Sequence, residues 1–135
     1  PLDIGAFAGA LVVHLISGQT FAPTPFALVK PFSATLCEAL YTFLLVYVVF
    51  RVAVDQKVAG NSYYGLAIGF TVMVAAFAVG AHSGGAFNPA VGFGPIAVKA
   101  LFGGGGWSDL PIYLIGPSVG AALAALTVRA QDQSA

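Results

Sequence analysis

Ser83-Gly-Gly-Ala-Phe-Asn-Pro-Ala-Val-Gly-Phe-Gly-Pro95 lies between two long uncharged apolar runs and reads as a loop that turns into a short helix. Asn88 is a good N-cap, because its side-chain oxygen accepts from a free backbone N–H of the first turn. Pro89 suits the first helical position, where its fixed φ helps and its missing N–H costs nothing. From Pro89 the apolar stretch runs only to Phe102 and is broken by Gly92, Gly94, Pro95 and Lys99. Crossing a bilayer takes about 20 residues. A half-helix over residues 89–98 is therefore expected to be re-entrant. Non-helical backbone at membrane depth is tolerated only where it is buried in protein or lines a water-filled cavity. The pattern points to a pore.

Composition agrees with a membrane solvent. The chain has 135 residues, of which 59% are hydrophobic and 7% charged, with formal net charge zero, and its mean hydropathy is +0.91. A soluble domain is about 25% charged. There is no basic run and no nucleic-acid signature. The single cysteine, Cys37, excludes an internal disulfide. No cleavable signal peptide is expected, since the N-terminus lacks a charged region and its apolar stretch holds Asp3. The chain opens with Pro1 rather than Met, so a processed product or a fragment is expected.

Three spans are expected, at 32–53, 63–81 and 110–129, each built on a 19-residue run with no charge or, in the first, only Glu38. Residues 1–16 read as the remnant of another spanning helix. Gly5 and Gly9, beside Ala6 and Ala10, give it the small-residue pattern of close membrane packing. His14 suits a structural hydrogen bond rather than a metal, since His82 is not at ligand spacing. Ser17 to Lys30 reads as a connector, Gly103 to Gly106 as a flexible linker, and Gln131 to Ala135 as a frayed polar tail. In the last span Gly116, Gly120 and Ala124 repeat small residues along one face, and Pro117 is expected to kink it. Tyr63, Tyr64, Trp107 and Tyr113 lie near span ends, as an aromatic belt would. Arg51, Lys57 and Arg129 fall on one side of the membrane and Lys30 and Lys99 on the other, which favours the first side as cytoplasmic.

The chemistry follows from the half-helix. Its N-terminus carries about +0.5 charge with free N–H groups. That field attracts electron-rich oxygens and repels cations, hydronium included. The Asn88 amide can donate to a passing water or hydroxyl. The backbone of Gly84, Gly85, Ala86 and Phe87 is placed to line the path, and Val91 at i+3 shares the face of Asn88. Glu38 has two readings. It either accepts backbone N–H groups of the loop before Asn88, or sits near a helix end and reaches the interface. The loop must satisfy its backbone somewhere, which favours the first.

Ser83 to Pro95 closely resembles the second signature loop of the aquaporin (major intrinsic protein) family. Glu38-Ala-Leu-Tyr-Thr-Phe-Leu-Leu-Val-Tyr-Val-Val-Phe50 is similar to the helix opening that family's second repeat. Gly65-Leu-Ala-Ile-Gly-Phe-Thr71 and Tyr113-Leu-Ile-Gly-Pro-Ser-Val-Gly120 resemble the next two helices. The resemblance implies an all-α membrane protein, half of a right-handed bundle of two inverted repeats. Two Asn-Pro-Ala loops meet at its midplane and four channels form a homotetramer. On this reading the chain is one repeat plus part of the preceding helix. It needs an N-terminal repeat to enclose a pore. Asn88, Pro89 and Ala90 are then the pore motif. The constriction uses positions twelve before, three before and three after Asn88, here Ala76, Gly85 and Val91. The last is most often arginine in water-selective members. Some plant vacuolar members carry valine there and are associated with urea, ammonia or peroxide as well as water.

The leading expectation is a passive channel for water and small neutral solutes (urea, ammonia, hydrogen peroxide, glycerol-like molecules). It would be a multi-pass protein of the plasma membrane or of a vacuolar or other organelle membrane, its partners the bilayer, the other repeat and identical subunits. A non-conducting structural or adaptor subunit is the alternative. An enzyme fares poorly, because the spans hold no acid pair, no Cys–His pair and no metal spacing, and no cofactor is called for.

Overall fold

The computed structural model describes residues 2–133, with Leu2 described through its backbone alone. Five α-helices follow one another: α1 (Leu2–Ser17), α2 (Pro31–Val49), α3 (Tyr64–Ser83), α4 (Pro89–Phe102) and α5 (Leu110–Gln133), with no strand among the described residues. The helix α2 runs directly into a π-helical turn at Phe50–Val54, and short 3₁₀ turns occupy Gln56–Val58 and Trp107–Asp109. Three stretches, Pro31–Val54, Tyr64–Ser83 and Trp107–Gln133, are long and apolar enough to cross a membrane. By contrast α4 has 14 residues, a length of roughly 21 Å against a hydrocarbon core of about 30 Å.

Helix starts follow local chemistry. Pro31 opens α2 with Lys30 extended before it, and Asn61 accepts from the amides of Tyr63 and Tyr64 at 3.1 and 2.9 Å where α3 begins. Glycine then sets how closely the helices approach. A Cβ at Gly120 would collide with the carbonyl oxygen of Ala39, and one at Gly116 would lie 2.8 Å from Glu38 Cβ and from the Thr35 carbonyl oxygen. With Ala124 fully buried on the same face, α5 packs backbone to backbone on α2. In lipid, such packing is what holds helices together. Similarly, Gly92 of α4 faces the Tyr113 side chain, and Gly94 faces the backbone of Ala6 and Phe7 in α1. The core is thin and central: Ala34, Ala86, Ile96, Ile112 and Tyr113. In α3 only Ala75 and Ser83 are buried.

Several expectations change. The half-helix does not stop at residue 98. Gly92, Gly94 and Pro95 are all buried inside α4, where contact with Tyr113 and α1 leaves no room for side chains, so they pack rather than break. In α1 the residues that pack are Ala6 and Ala10, whereas a Cβ at Gly5 or Gly9 would meet nothing within 4 Å. Pro1, the first residue of the expected remnant, lies outside the described residues. Tyr113 is no belt residue. It is fully buried and donates to the Ser83 carbonyl oxygen at 2.6 Å, while Tyr63, Tyr64 and Trp107 stay half-exposed. Nor do residues 131–133 fray. They close α5, where Gln131 accepts from Tyr47 Oη at 3.0 Å and Arg51 Nη2 at 2.6 Å, and Asp132 accepts from Arg51 Nη1 at 2.7 Å. Residues 134 and 135 lie outside the described residues. Pro117 sits buried within a continuous α5.

The Gly120 contact is testable. Gly120→Ala lowers the thermal midpoint of the purified protein and Gly120→Leu lowers it further, since overpacking a tight contact costs about 1–3 kcal/mol. Unchanged midpoints in both would show that α2 and α5 do not approach as described.

Candidate functional site

The site is built where α3 ends and α4 begins. Gly84 terminates α3 with φ 95° and donates to the Gly80 carbonyl oxygen at 2.9 Å. Gly84 has no alternative there, because a Cβ would lie 2.5 Å from Tyr113 Oη and 2.8 Å from the Thr24 amide. Gly85 follows at φ 65° and Phe87 at φ 49°, a left-handed position rare for a bulky residue. Residues 84–87 thus form no repeating hydrogen bonds of their own, and their amides need acceptors.

Glu38 supplies them. Its carboxylate, fully buried, accepts from Ala86 N at 3.1 Å and Phe87 N at 2.6 Å, and from Ser83 Oγ at 2.7 Å. Ser83 Oγ in turn accepts from Gly85 N at 3.2 Å. Four donors therefore converge on two side chains, and the twisted segment becomes a fixed one. Bonds to an ionised acceptor are about twice as strong as neutral ones. The Phe87 ring is tilted against Tyr41, with centroids 6.1 Å apart, one turn along α2 from Glu38.

Asn88 is extended (φ −159°, ψ 127°), and its Oδ1 accepts from Ala90 N at 2.9 Å, with Pro89 at the first helical position. The cap uses the oxygen, and the Asn88 NH₂ group, on an exposed residue, has no partner among the described residues. Ala90 is buried. Val91 is 47% exposed and lines a cavity of about 270 Å³ with Gly84, Gly85 and Ala86. Gly85 and Val91 thus share one space. Ala76 is exposed on α3 and does not line that cavity.

The rest of the cavity wall comes from Pro95 of α4 and from residues 21–23 of the segment read as a plain connector. That connector is held at two points: Thr24 Oγ1 donates to Asp109 Oδ2 at 2.8 Å, and Phe26 N donates to the His82 carbonyl oxygen at 3.1 Å. Its Pro23 and Pro25 are the sequence signal of a stiff rather than slack segment. His14 has a structural contact, with Nδ1 3.2 Å from the Gln19 carbonyl oxygen and its ring stacked on Phe102 at 4.7 Å. Among the described residues no group of His, Cys, Asp and Glu is arranged to hold a metal.

Removing the carboxylate should release the loop. Glu38→Ala leaves two buried amides without acceptors and is expected to cost about 2–5 kcal/mol, while Ser83→Ala costs about 1 kcal/mol. Unfolding of the protein in detergent measures both; an equal, small effect would show that the loop does not depend on Glu38.

The family model described as major intrinsic protein matches residues 3–128. Aquaporin AqpM of Methanothermobacter marburgensis is 42% identical over 113 residues, 83% of this chain and 46% of the relative. Probable aquaporin AqpM of Archaeoglobus fulgidus is 40% identical over 129 residues, 90% of this chain and 52% of the relative. Probable aquaporin TIP2-2 of Oryza sativa subsp. japonica is 35% identical over 127 residues, 93% of this chain and 49% of the relative. The chain spans about half the length of the curated relatives it matches. With three helices of membrane-crossing length and a family match running through nearly all of its residues, this chain is an all-α integral membrane protein that belongs to the major intrinsic protein family.

Proposed function

We propose that this chain is one half of a transmembrane channel that passes water and, through a wide constriction, small neutral solutes such as urea, ammonia or hydrogen peroxide. The observation that carries the reading is the loop pinned by Glu38, which delivers Asn88 and the N-terminus of α4 beside a cavity lined by Gly85 and Val91. Members of the family are channels, not enzymes, and the relatives carry the name aquaporin.

The pore motif of the proposal is Asn88, Pro89 and Ala90. The Asn88 amide donates to the permeating oxygen, and the positive end of α4 repels cations and hydronium. The backbone from Gly84 to Phe87 forms the approach. The constriction is Ala76, Gly85 and Val91, with the opposite wall supplied by an N-terminal repeat of the same channel, and four such channels assemble in the bilayer. Arginine at position 91 would add bulk and a fixed charge with five donors. Valine adds neither, so the ring is wide and mostly apolar.

Osmotic swelling of proteoliposomes holding the full-length protein tests this. The wild type is expected to pass water and urea. Val91→Arg should cut urea permeability about tenfold or more, about 1.4 kcal/mol on the barrier, with a smaller effect on water. An unchanged ratio in a folded variant would remove Val91 from the constriction. A wild type with no swelling above empty vesicles would favour the adaptor reading.

A further inference from the structure

A larger cavity, of about 660 Å³, lies at the opposite end of the bundle, where the π turn after α2 meets the last turns of α5. Its size falls within the roughly 300–1,000 Å³ of ligand sites. Phe50, Val54, Ala125 and Val128 give it an apolar wall. The spanning stretches Pro31–Val54 and Trp107–Gln133 both end at this level, so the cavity opens at the depth of lipid headgroups.

Its charges are unevenly committed. Arg51 Nη1 reaches Asp132 Oδ1 at 2.7 Å and Asp55 Oδ2 at 3.5 Å, Nη2 donates to Gln131 at 2.6 Å, and the guanidinium lies 5.6 Å from the Tyr47 ring centre. Asp55 Oδ1 is also taken, accepting from the Lys57 amide at 2.9 Å. Both carboxylates of the wall are therefore occupied by Arg51 or by backbone. Lys57 and Arg129 line the same cavity, are exposed, and have no acidic side chain within bridging distance among the described residues. Two cations without counter-ions thus face an apolar-walled space at a membrane surface.

We propose that this cavity holds the phosphate headgroup of an anionic phospholipid, with Lys57 and Arg129 on the phosphate and the acyl chains running along Val54, Ala125 and Val128. A free phosphate would satisfy the cations and gain nothing from the apolar wall, whereas a lipid uses both. Basic pockets between spanning helices take anionic headgroups by this chemistry. The site is independent of what the pore conducts.

The test uses the full-length protein in detergent and native mass spectrometry with added phosphatidylglycerol, phosphatidylcholine or inorganic phosphate. Phosphatidylglycerol is expected to bind in preference to phosphatidylcholine and to resist millimolar phosphate. Lys57→Gln or Arg129→Gln should weaken it about fivefold, and the double variant roughly thirty-fold. Lys30→Gln, at the other end of α2, should leave it unchanged. These side chains are exposed, so the variants should melt as the wild type does. Equal phosphatidylglycerol binding by the double variant would overturn the site. Displacement by inorganic phosphate would overturn the lipid as its occupant.

Discussion

A single carboxylate holds the geometry on which everything else around the turn from α3 into α4 depends. Without an acceptor at Glu38, the amides of Ala86 and Phe87 would be buried and unpaired, and Ser83 would lose its charged partner. A carboxylate in a spanning helix is itself costly, by about 2.5–3.5 kcal/mol for an aspartate on insertion scales. The loop and the carboxylate remove each other's cost, since each supplies what the other lacks in a medium without water. This pairing also lets Phe87 occupy a left-handed conformation that its side chain would otherwise disfavour.

The half-helix depends on a second constraint, the absence of side chains. Gly92 and Gly94 let α4 sit against Tyr113 on one side and the backbone of α1 on the other. Tyr113 joins the two constraints. Its Cβ and ring back Gly92, and its hydroxyl lies against Gly84 and binds the carbonyl oxygen of Ser83, the residue whose hydroxyl meets Glu38. Thus α2, α3, α4 and α5 all meet within a few residues of one buried hydrogen-bonded group.

What could be read from the sequence was local or exceptional. Asn88 before Pro89 is a cap with one geometry, and the only charge in a 19-residue apolar run has to find donors. Where the sequence offered two equal choices it misled. In α1, Gly5 with Gly9 and Ala6 with Ala10 are equally small, and only the position of Gly94 selects the alanine face. Tyr113, four residues after Asp109, looked like an interface residue, because the carbonyl that captures its hydroxyl lies 30 positions away. The tail at Gln131 and Asp132 looked solvated for the same reason, with its partner Arg51 80 or more positions earlier. The connector through Phe21 to Pro23 gave only its prolines as a hint that it belongs to the cavity wall.

The partnership of α2 with α5 also imposes an order of assembly. The surface that receives Gly116 and Gly120 is made early in the chain, and the helix that fills it is the last of the five. Until α5 enters the bilayer, α2 has a groove with nothing in it and α4 lacks the tyrosine that backs it. Such long-range closure is slow compared with contacts between neighbours in sequence. The turn between α3 and α4 is therefore completed only once α5 is in place, and a chain halted before residue 110 would hold α4 without the tyrosine behind it.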